Sequence, residues 1–436
     1  MSPERGELVE IAIERPAAGG RMLGRLDGAI VLVAGAIPGE RVAARLEGRR
    51  GGVLFARTVE VVEASPDRRD PGPDPACGGR DFAHIAYRRQ VQLKQEILRD
   101  QFRRLARVDL PGDIAVLESP EQGYRMRARL HAHGTRFGFY REGTRELCDP
   151  ACSGQLRDDA LAAVAALGRA CAAARLGGLR SVELSENREG TERALLLELD
   201  PERAPRVRPD MLPLPPGTTG LFVSRGGRIL FGHGSPDVHD TLSLDGGRTT
   251  LRLVRHVSSF FQGNRYVLEG FVQRVIDRAP SGPITDLYAG TGLFGLAWAA
   301  SGRGPVVAVE GDRISAADLH RNAEPFGETV TVRREPVERA LGDTGTLTGR
   351  TVLVDPPRTG LSKEAVSALA AVRPPHILYV SCDPATLARD VSRLTSAGYV
   401  VIHVELFDLF PATAHLETLV VLENRQPSVA VPAILD

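Results

Sequence analysis

Lysine is almost missing from this chain of 436 residues: Lys94 and Lys363 are the only two among 55 basic side chains, and arginine supplies the rest. Genomic base composition accounts for that bias more simply than phosphate binding does. An excess of either charge is missing too. With 55 acidic residues the formal net charge is +0, so no overall field draws in RNA or DNA, and affinity for either must come from local basic patches. No uninterrupted apolar run approaches the roughly 18 residues of a spanning helix, which predicts no membrane partner. Cysteine is sparse and odd in number: Cys77, Cys148, Cys152, Cys171 and Cys382. Irregular spacing, in a chain whose start (Met1-Ser2-Pro3-Glu4-Arg5) has no basic patch leading into an apolar stretch, predicts reduced thiols and a cytoplasmic protein.

What is present is an ordinary globular composition, 42% hydrophobic and 25% charged, in a length that predicts two or three domains. Residues 7 to 63 alternate short Val/Ile/Leu segments with glycines. Five short strands with tight turns predict a small barrel of the oligonucleotide-binding kind over residues 1–65. Pro66 to Pro75 reads as a linker. Over 66–255 a mixed α+β region follows: a helix from Tyr87 to Val108, paired strands over Arg125 to His133 and Phe137 to Cys148, an alanine-rich helix from Asp158 to Leu176, a hairpin over Ser181 to Leu199, a proline-rich loop over Pro201 to Pro216, and further strands from Gly220 to Val254. From 256 to 436 the pattern becomes strand, turn, helix, repeated. That is the mark of a doubly wound α/β sheet, whose ligands bind beyond the carboxyl ends of the strands.

Chemistry gathers at those ends. Gly290-Thr291-Gly292-Leu293-Phe294-Gly295 follows one strand and opens a helix, and Glu310 ends the next strand. This pattern suits either a dinucleotide or S-adenosyl-L-methionine, since glycine lets the backbone approach a ligand and an acid binds ribose hydroxyls in both cases. Asp286, closing the first strand where it can take up an ammonium group, and the lack of any hydride-acceptor segment favour the methyl donor. Asp355-Pro356-Pro357-Arg358 holds a carboxylate on a stiff loop at the fourth strand, where it is expected to meet a donor such as a ring N–H. Cys382, in Tyr379-Val380-Ser381-Cys382-Asp383-Pro384, stands at a strand end before a helix whose N-terminus is expected to lower the thiol pKa. Glu417 opens the last strand as a carboxylate base, with His415 beside it as the alternative. In Phe260-Phe261-Gln262-Gly263-Asn264 the aromatics are expected in the core and Gln262 as the polar contact.

Taken with Gly123-Tyr124-Arg125-Met126-Arg127-Ala128-Arg129 and His415-Leu416-Glu417-Thr418, these motifs in this order resemble the RNA uracil-C5 methyltransferases along essentially the whole chain. The resemblance implies a TRAM-like barrel, a central α+β domain and a Rossmann-like class I methyltransferase domain. It also implies that a uridine of ribosomal or transfer RNA is methylated at C5 by S-adenosyl-L-methionine. Gln262, Tyr288, Glu310 and Asp355 fall on the family's cofactor-contacting positions, Cys382 on its nucleophile and Glu417 on its base. Members with an iron-sulfur cluster carry C-x5-C-G-G-C and a fourth cysteine. Here Pro71 and Arg80 stand at two of those positions, and only Cys77 and Cys152 (or Cys148) remain, too few thiolates for a four-iron cluster, so none is expected. Arg125, Arg127 and Arg129 alternate along one strand and share a face that could meet RNA phosphates. A monomer is expected. The rival reading is a catalytically inactive RNA-binding or RNA-folding factor of the same fold, and a third is an enzyme acting on cytosine or another RNA position.

Overall fold

The computed structural model describes residues 5–202, 208 and 211–425; the very N-terminus and most of the stretch 203–210 in the proline-rich loop lie outside the described residues. Strands β1 (Leu8–Pro16), β2 (Met22–Leu26), β3 (Ala29–Ala34), β4 (Arg41–Arg50) and β5 (Val53–Glu63) close a barrel in the order β1-β2-β3-β5-β4. Alternation sends Ile11, Ile13, Val31, Val33, Val42 and Ala44 inward, the period-two pattern of a half-buried strand.

Helix α1 (Tyr87–Gln101) follows, and then a turn of π-helix, Phe102–Ala106, ends at Arg107 with φ 56°. The single helix expected over 87–108 is thus interrupted: the extra residue per turn keeps Phe102 in the core and leaves Leu105 44% exposed. Next, β6 (Ala115–Leu117) leaves the central region and joins the far edge of the C-terminal sheet, parallel to the strand at 399–407.

The central sheet contains β7 (Arg127–His133), β8 (Arg136–Tyr140) and β9 (Leu147–Cys148), with α2 (Asp158–Ala173) packed on it. Strands β10 (Leu179–Glu186), β11 (Arg193–Leu199), β12 (Gly220–Arg225) and β13 (Arg228–Gly234) complete it, in the order β13-β12-β11-β10-β7-β8-β9. A two-stranded ribbon, β14 (Asp237–Leu244) and β15 (Thr249–His256), leads on to α3 (Leu268–Ile276).

The C-terminal unit runs β16 (Ile284–Leu287), α4 (Leu293–Ala300), β17 (Val306–Glu310), α5 (Arg313–Ala323), β18 (Val330–Arg334), α6 (Val337–Ala340), β19 (Thr351–Val354), α7 (Lys363–Val372), β20 (His376–Ser381), α8 (Pro384–Ser396), β21 (Tyr399–Phe407) and β22 (Glu417–Asn424). Its eight strands lie in the order β18-β17-β16-β19-β20-β22-β21-β6. The strands β16 to β20 are parallel; β16, β19 and β20 in the middle are buried on both faces, as parallel sheets require, while the edge strand β18 is partly exposed. β22 is antiparallel to both neighbours. One continuous core joins the barrel (Ile11, Val31), α1 (Leu93, Ile97) and α8 (Leu387, Val391), so the barrel is packed against the catalytic sheet through α1.

The thiols differ from expectation. Cys77 and Cys148 form a disulfide with Cα atoms 5.4 Å apart, because the bridge of Cys77 to Arg141 and the pairing of β8 with β9 set them side by side. Their separation of 71 residues hid that from spacing alone. Arg80 donates to the carbonyl of Cys152 at 2.7 Å and to that of Pro71, and so ties together the run the family uses for its cluster. Among the described residues no group of three or more His, Cys, Asp or Glu could hold a metal ion.

Glu405 on β21 is fully buried and bonded to Arg274, Arg278 and His403. Burial raises its carboxyl, but these three donors outweigh it and bring it to about 2. A folded-state value below the unfolded one adds stability that is complete above about pH 4.5 and is lost as the pH falls toward 2. Urea titrations should therefore show the wild type losing more stability than Glu405→Gln between pH 5 and pH 3; equal slopes would mean that the cluster contributes nothing to acid sensitivity.

Candidate active site

Register builds the catalytic edge. Ser381, the last residue of β20, pairs with Thr418 of the antiparallel β22, so the next residues outward, Cys382 and Glu417, emerge together. In the parallel part Leu287 pairs with both Val309 and Val354, which sets Tyr288, Glu310 and Asp355 in one row at the same edge. These five residues come from five separate strand ends, and the sheet alone brings them together.

The glycine turn opens that row. Tyr288 sits at φ 63°, a left-handed conformation that costs energy outside glycine and asparagine and is retained where structure over-determines it. A Cβ on Gly290, at φ 58°, would meet nothing within 4 Å, whereas one on Gly292 would strike Leu296 and Leu319 at 2.5 and 2.9 Å. Gly290 therefore faces open space and Gly292 serves packing. Leu293, expected at the cofactor, begins α4 with its side chain in the core. Glu310 accepts the Gly290 N–H at 2.8 Å and the Asp312 N–H at 2.6 Å, which leaves further lone pairs for a ribose.

Asp286 is the penultimate residue of β16, not its end, and is 1% exposed. One oxygen accepts the Gly295 N–H at 2.8 Å, and the other, like the hydroxyl of Thr291, is buried with no partner. Burial pushes this carboxyl up to about 8, against the Gly295 bond and with help from Asp355 and Glu310. An orphaned acceptor and hydroxyl beside an open glycine turn fit a polar, cationic ligand such as S-adenosyl-L-methionine.

Gln262 donates to Asp355 at 3.2 Å, and burial lifts that carboxyl to about 7. Phe261 is buried beneath the Arg255 guanidinium, 4.5 Å from its ring centre, as expected of a core aromatic; Phe260 is 59% exposed, contrary to expectation. Glu417, 4% exposed, is held well above the carboxylate range by burial first and Asp355 second, with Arg358 opposing. The Cys382 thiol rises to about 11, through burial and then Glu417 and Asp355, with Arg358 opposing. This reverses the expected depression. Asp383 is the N-cap of α8 and accepts from Ala385 and Thr386 at 3.0 and 2.8 Å, so the first-turn N–H groups are spent on a carboxylate instead of the sulfur. His415 is lowered to about 4 by burial and by Arg358, Lys94 and Arg125, and is neutral at neutral pH.

The three arginines do not form a comb of free cations. Arg129 and Arg127 share Glu183, which lies opposite Arg129 in the ladder, at 3.0 and 3.4 Å. Arg125 precedes β7, and its guanidinium lies 5.6 Å from the Phe139 ring centre and 5.9 Å from that of Phe410.

Sequence reading missed the clamp on the loop that carries His415. Lys94 donates to Asp408 at 2.6 Å and to the Phe410 carbonyl at 3.0 Å, and both side chains of the ion pair are buried. Tyr87 donates to the other Asp408 oxygen at 2.9 Å, and Asn264 to the Leu409 carbonyl at 3.0 Å. Removing one member of such a pair leaves the other charge buried and costs about 3–5 kcal/mol. The signal was available: a lysine inside an otherwise apolar helical stripe, in a chain that uses arginine nearly everywhere else.

Comparison with known proteins bears on the site. The profile of the tRNA (Uracil-5-)-methyltransferase family matches residues 222–425, and that of the TRAM domain matches residues 3–59. The 23S rRNA (uracil(1939)-C(5))-methyltransferase of Halomonas elongata is 33% identical over 456 aligned residues, covering 95% of this chain and 89% of that protein. The enzyme of the same name from Pseudomonas putida is 31% identical, covering 96% and 94%. Among solved structures, the tRNA (uracil-54, C5)-methyltransferase of Pyrococcus abyssi in complex with S-adenosyl-L-homocysteine shares the fold, with a TM-score of 0.74 over 94% of this chain and all of that one, at 24% identity.

A thiol that titrates near 11 is alkylated in proportion to its thiolate fraction. Peptide-resolved alkylation of Cys382 by iodoacetamide should therefore rise about tenfold per pH unit between pH 7 and 9, and a plateau below pH 8 would contradict the electrostatics described.

Proposed function

Because the chain belongs to the RNA uracil-C5 methyltransferase family, we propose that its target is a uridine of 23S ribosomal RNA and that Cys382 and Glu417 carry the chemistry. The protein is an S-adenosyl-L-methionine-dependent RNA (uracil-5-)-methyltransferase. Ribosomal RNA is favoured by relatives that align nearly end to end at over 30% identity and are named for 23S rRNA, those of Halomonas elongata and Pseudomonas putida among them. No helix among the described residues is long and apolar enough to cross a membrane. We further infer a monomer working in the cytoplasm.

The observation that carries the residue assignment is the pairing of Ser381 with Thr418, which supports a sulfur and a carboxyl acting on one ring. Uracil C5 is a weak nucleophile until C6 is saturated. The Cys382 thiolate adds to C6, and the electron pair of the C5–C6 double bond moves onto C5 and its carbonyl. S-adenosyl-L-methionine, when bound, supplies a methyl group made electrophilic by its sulfonium, and C5 takes it. Glu417 removes the C5 proton, the electrons return to re-form the double bond, and the sulfur leaves. Burial and Asp355 hold the Glu417 carboxyl high, which makes it a stronger proton acceptor once ionised. Cys382 ionises more readily when a positive charge stands in the cleft, and this links nucleophile formation to cofactor loading. Gln262, Tyr288, Gly290, Glu310 and Asp355 would hold the cofactor, with Asp286 bracing the turn from within. The target base must be turned out of its stack, at a cost of about a few kcal/mol; Phe260, exposed two residues before Gln262, and the Arg125 guanidinium beside the Phe410 ring are the groups assigned to offset it.

Cys382→Ala should abolish 5-methyluridine formation while cofactor binding persists. Glu417→Gln should methylate once and stay linked to its RNA, seen as a slow band on a denaturing gel with unmodified uridine substrate. Full turnover by the cysteine variant would remove the thiol from the scheme, and Glu417→Gln turnover without a lasting adduct would move the base role to His415. Absence of cofactor binding in the wild type would favour an inactive RNA-binding factor.

A further inference from the structure

Three segments that converge on Cys382 meet at one buried carboxylate. Asp390, in α8, is fully buried. Its Oδ2 accepts the phenol of Tyr379, from β20, and the Leu361 N–H, both at 2.9 Å, while its Oδ1 accepts Arg389 at 2.9 Å and lies 3.5 Å from Arg393. Leu361 ends the loop that leaves β19 through Asp355-Pro356-Pro357-Arg358, and the same side of α8 holds the rest of it. Thr386 donates to the Arg358 carbonyl at 3.2 Å and Arg389 to the Thr359 carbonyl at 2.9 Å. Thr386, Arg389 and Asp390 stand at i, i+3 and i+4, the spacing that shares one helix face. Contact is close because Gly360 has no side chain: a Cβ there, at φ 74°, would lie 2.5 Å from Asp390 Oδ2 and 2.6 Å from an Arg389 nitrogen. The backbone under Arg358 is thus fastened on both sides. The Arg358 side chain is exposed, makes no hydrogen bond or ion pair among the described residues, and shares with Cys382 the wall of a cavity of about 240 Å³.

We propose that Asp390 is a positioning residue: by holding the loop at 358–361 against α8, it keeps the Arg358 guanidinium beside the sulfur of Cys382. Its bearing on catalysis rests on Cys382 being the nucleophile. α8 opens directly after Cys382, with Asp383 as its N-cap. One helix therefore fixes both the backbone of the sulfur and the loop that carries the cation. The first-turn N–H groups of α8 are spent on Asp383, which leaves Arg358 as the cation that opposes burial, Glu417 and Asp355 at the thiol. Asp81, Asp383 and His415 are the other titratable groups on the cavity wall, and Tyr379, Arg389 and Arg393 are those around Asp390. A guanidinium held beside a thiol favours its ionised form. The sign of the effect separates this role from simpler ones. Acting directly, removal of the Asp390 charge would ease ionisation of the sulfur, and a looser fold would expose it; both would speed its alkylation. Acting through Arg358, the same removal slows it.

The test is peptide-resolved alkylation of Cys382 by iodoacetamide in the full-length protein at pH 8, below the melting temperature of each variant. Arg358→Gln should slow it by about three- to tenfold, as for a rise of about half to one pH unit in the thiol. Asp390→Asn, which keeps the size, should slow it by about twofold or more, and adding it to Arg358→Gln should slow alkylation no further, because both act through one charge. Gly360→Ala keeps every partner but forces the loop off α8; it should reproduce the loss, and it decides the matter if Asp390→Asn does not fold. Unchanged or faster alkylation in Arg358→Gln, in Asp390→Asn or, where that variant fails to fold, in Gly360→Ala overturns the proposal, and so does a double variant slowed by the full product of the two single effects. Alkylation needs no turnover, so this outcome is independent of the nucleophile assignment, which fails instead if Cys382→Ala still methylates.

Discussion

Strand β22 runs against its neighbours, and that reversal is what puts an acid next to the sulfur. In a parallel sheet every strand delivers its last residue to the ligand edge, so each contributes one functional group followed by a helix or loop. A strand of opposite sense delivers its first residue there instead, and Glu417 reaches the edge from the other direction, beside Cys382, with Ser381 and Thr418 paired beneath them. Hydrogen-bonded register fixes this more firmly than any loop contact could, because β22 is packed on both faces and a slip of one residue would send each of its side chains to the opposite packed face.

That arrangement has an electrostatic cost which the site uses. Glu417, Asp355 and Asp286 crowd into a poorly solvated edge, and each is raised above its ordinary value. The same field raises the thiol. Burial is the largest cause for each of the four groups, and the neighbouring carboxylates add to it at Cys382, Glu417 and Asp286. The clamp from α1 does the mechanical part: Lys94 and Tyr87 fix Asp408, and Gln90 fixes Ala412. The loop leading to Glu417 is thus anchored to the helix that also carries the barrel.

The doubly wound sheet, the barrel and the catalytic row were legible because their signals are local: period-two strands, glycine turns, and polar residues at the ends of apolar runs. Position alone put Cys382, Glu417, Glu310 and Asp355 at strand ends, where the structure has them, while the roles expected of them and of Gln262 came from the family resemblance. What sequence could not give depends on distant partners. The thiol pKa was expected to fall because a helix follows, yet Asp383 takes up the helix N–H groups and two carboxylates face the sulfur. Arg127 and Arg129 read as free cations until β10 set Glu183 across from them. The bond between Cys77 and Cys148 and the guanidinium of Arg80 between Pro71 and Cys152 depend on which loops meet, as does the passage of β6 into the C-terminal sheet. Leu293 and Gly292 matched a motif whose spacing is shared by ligand contact and helix packing, and here packing claims both.

The central claim is that the sulfur of Cys382 bonds to the pyrimidine whose neighbouring carbon receives the methyl group. Mass spectrometry of the peptide crosslinked to 5-fluorouridine RNA in the presence of S-adenosyl-L-methionine tests it most directly. The account predicts a single peptide, the one containing Cys382, carrying a pyrimidine that has gained the methyl group at C5 and kept its fluorine there. A crosslink on any other residue, or a modified base carrying the methyl group with no bond to sulfur, would contradict it.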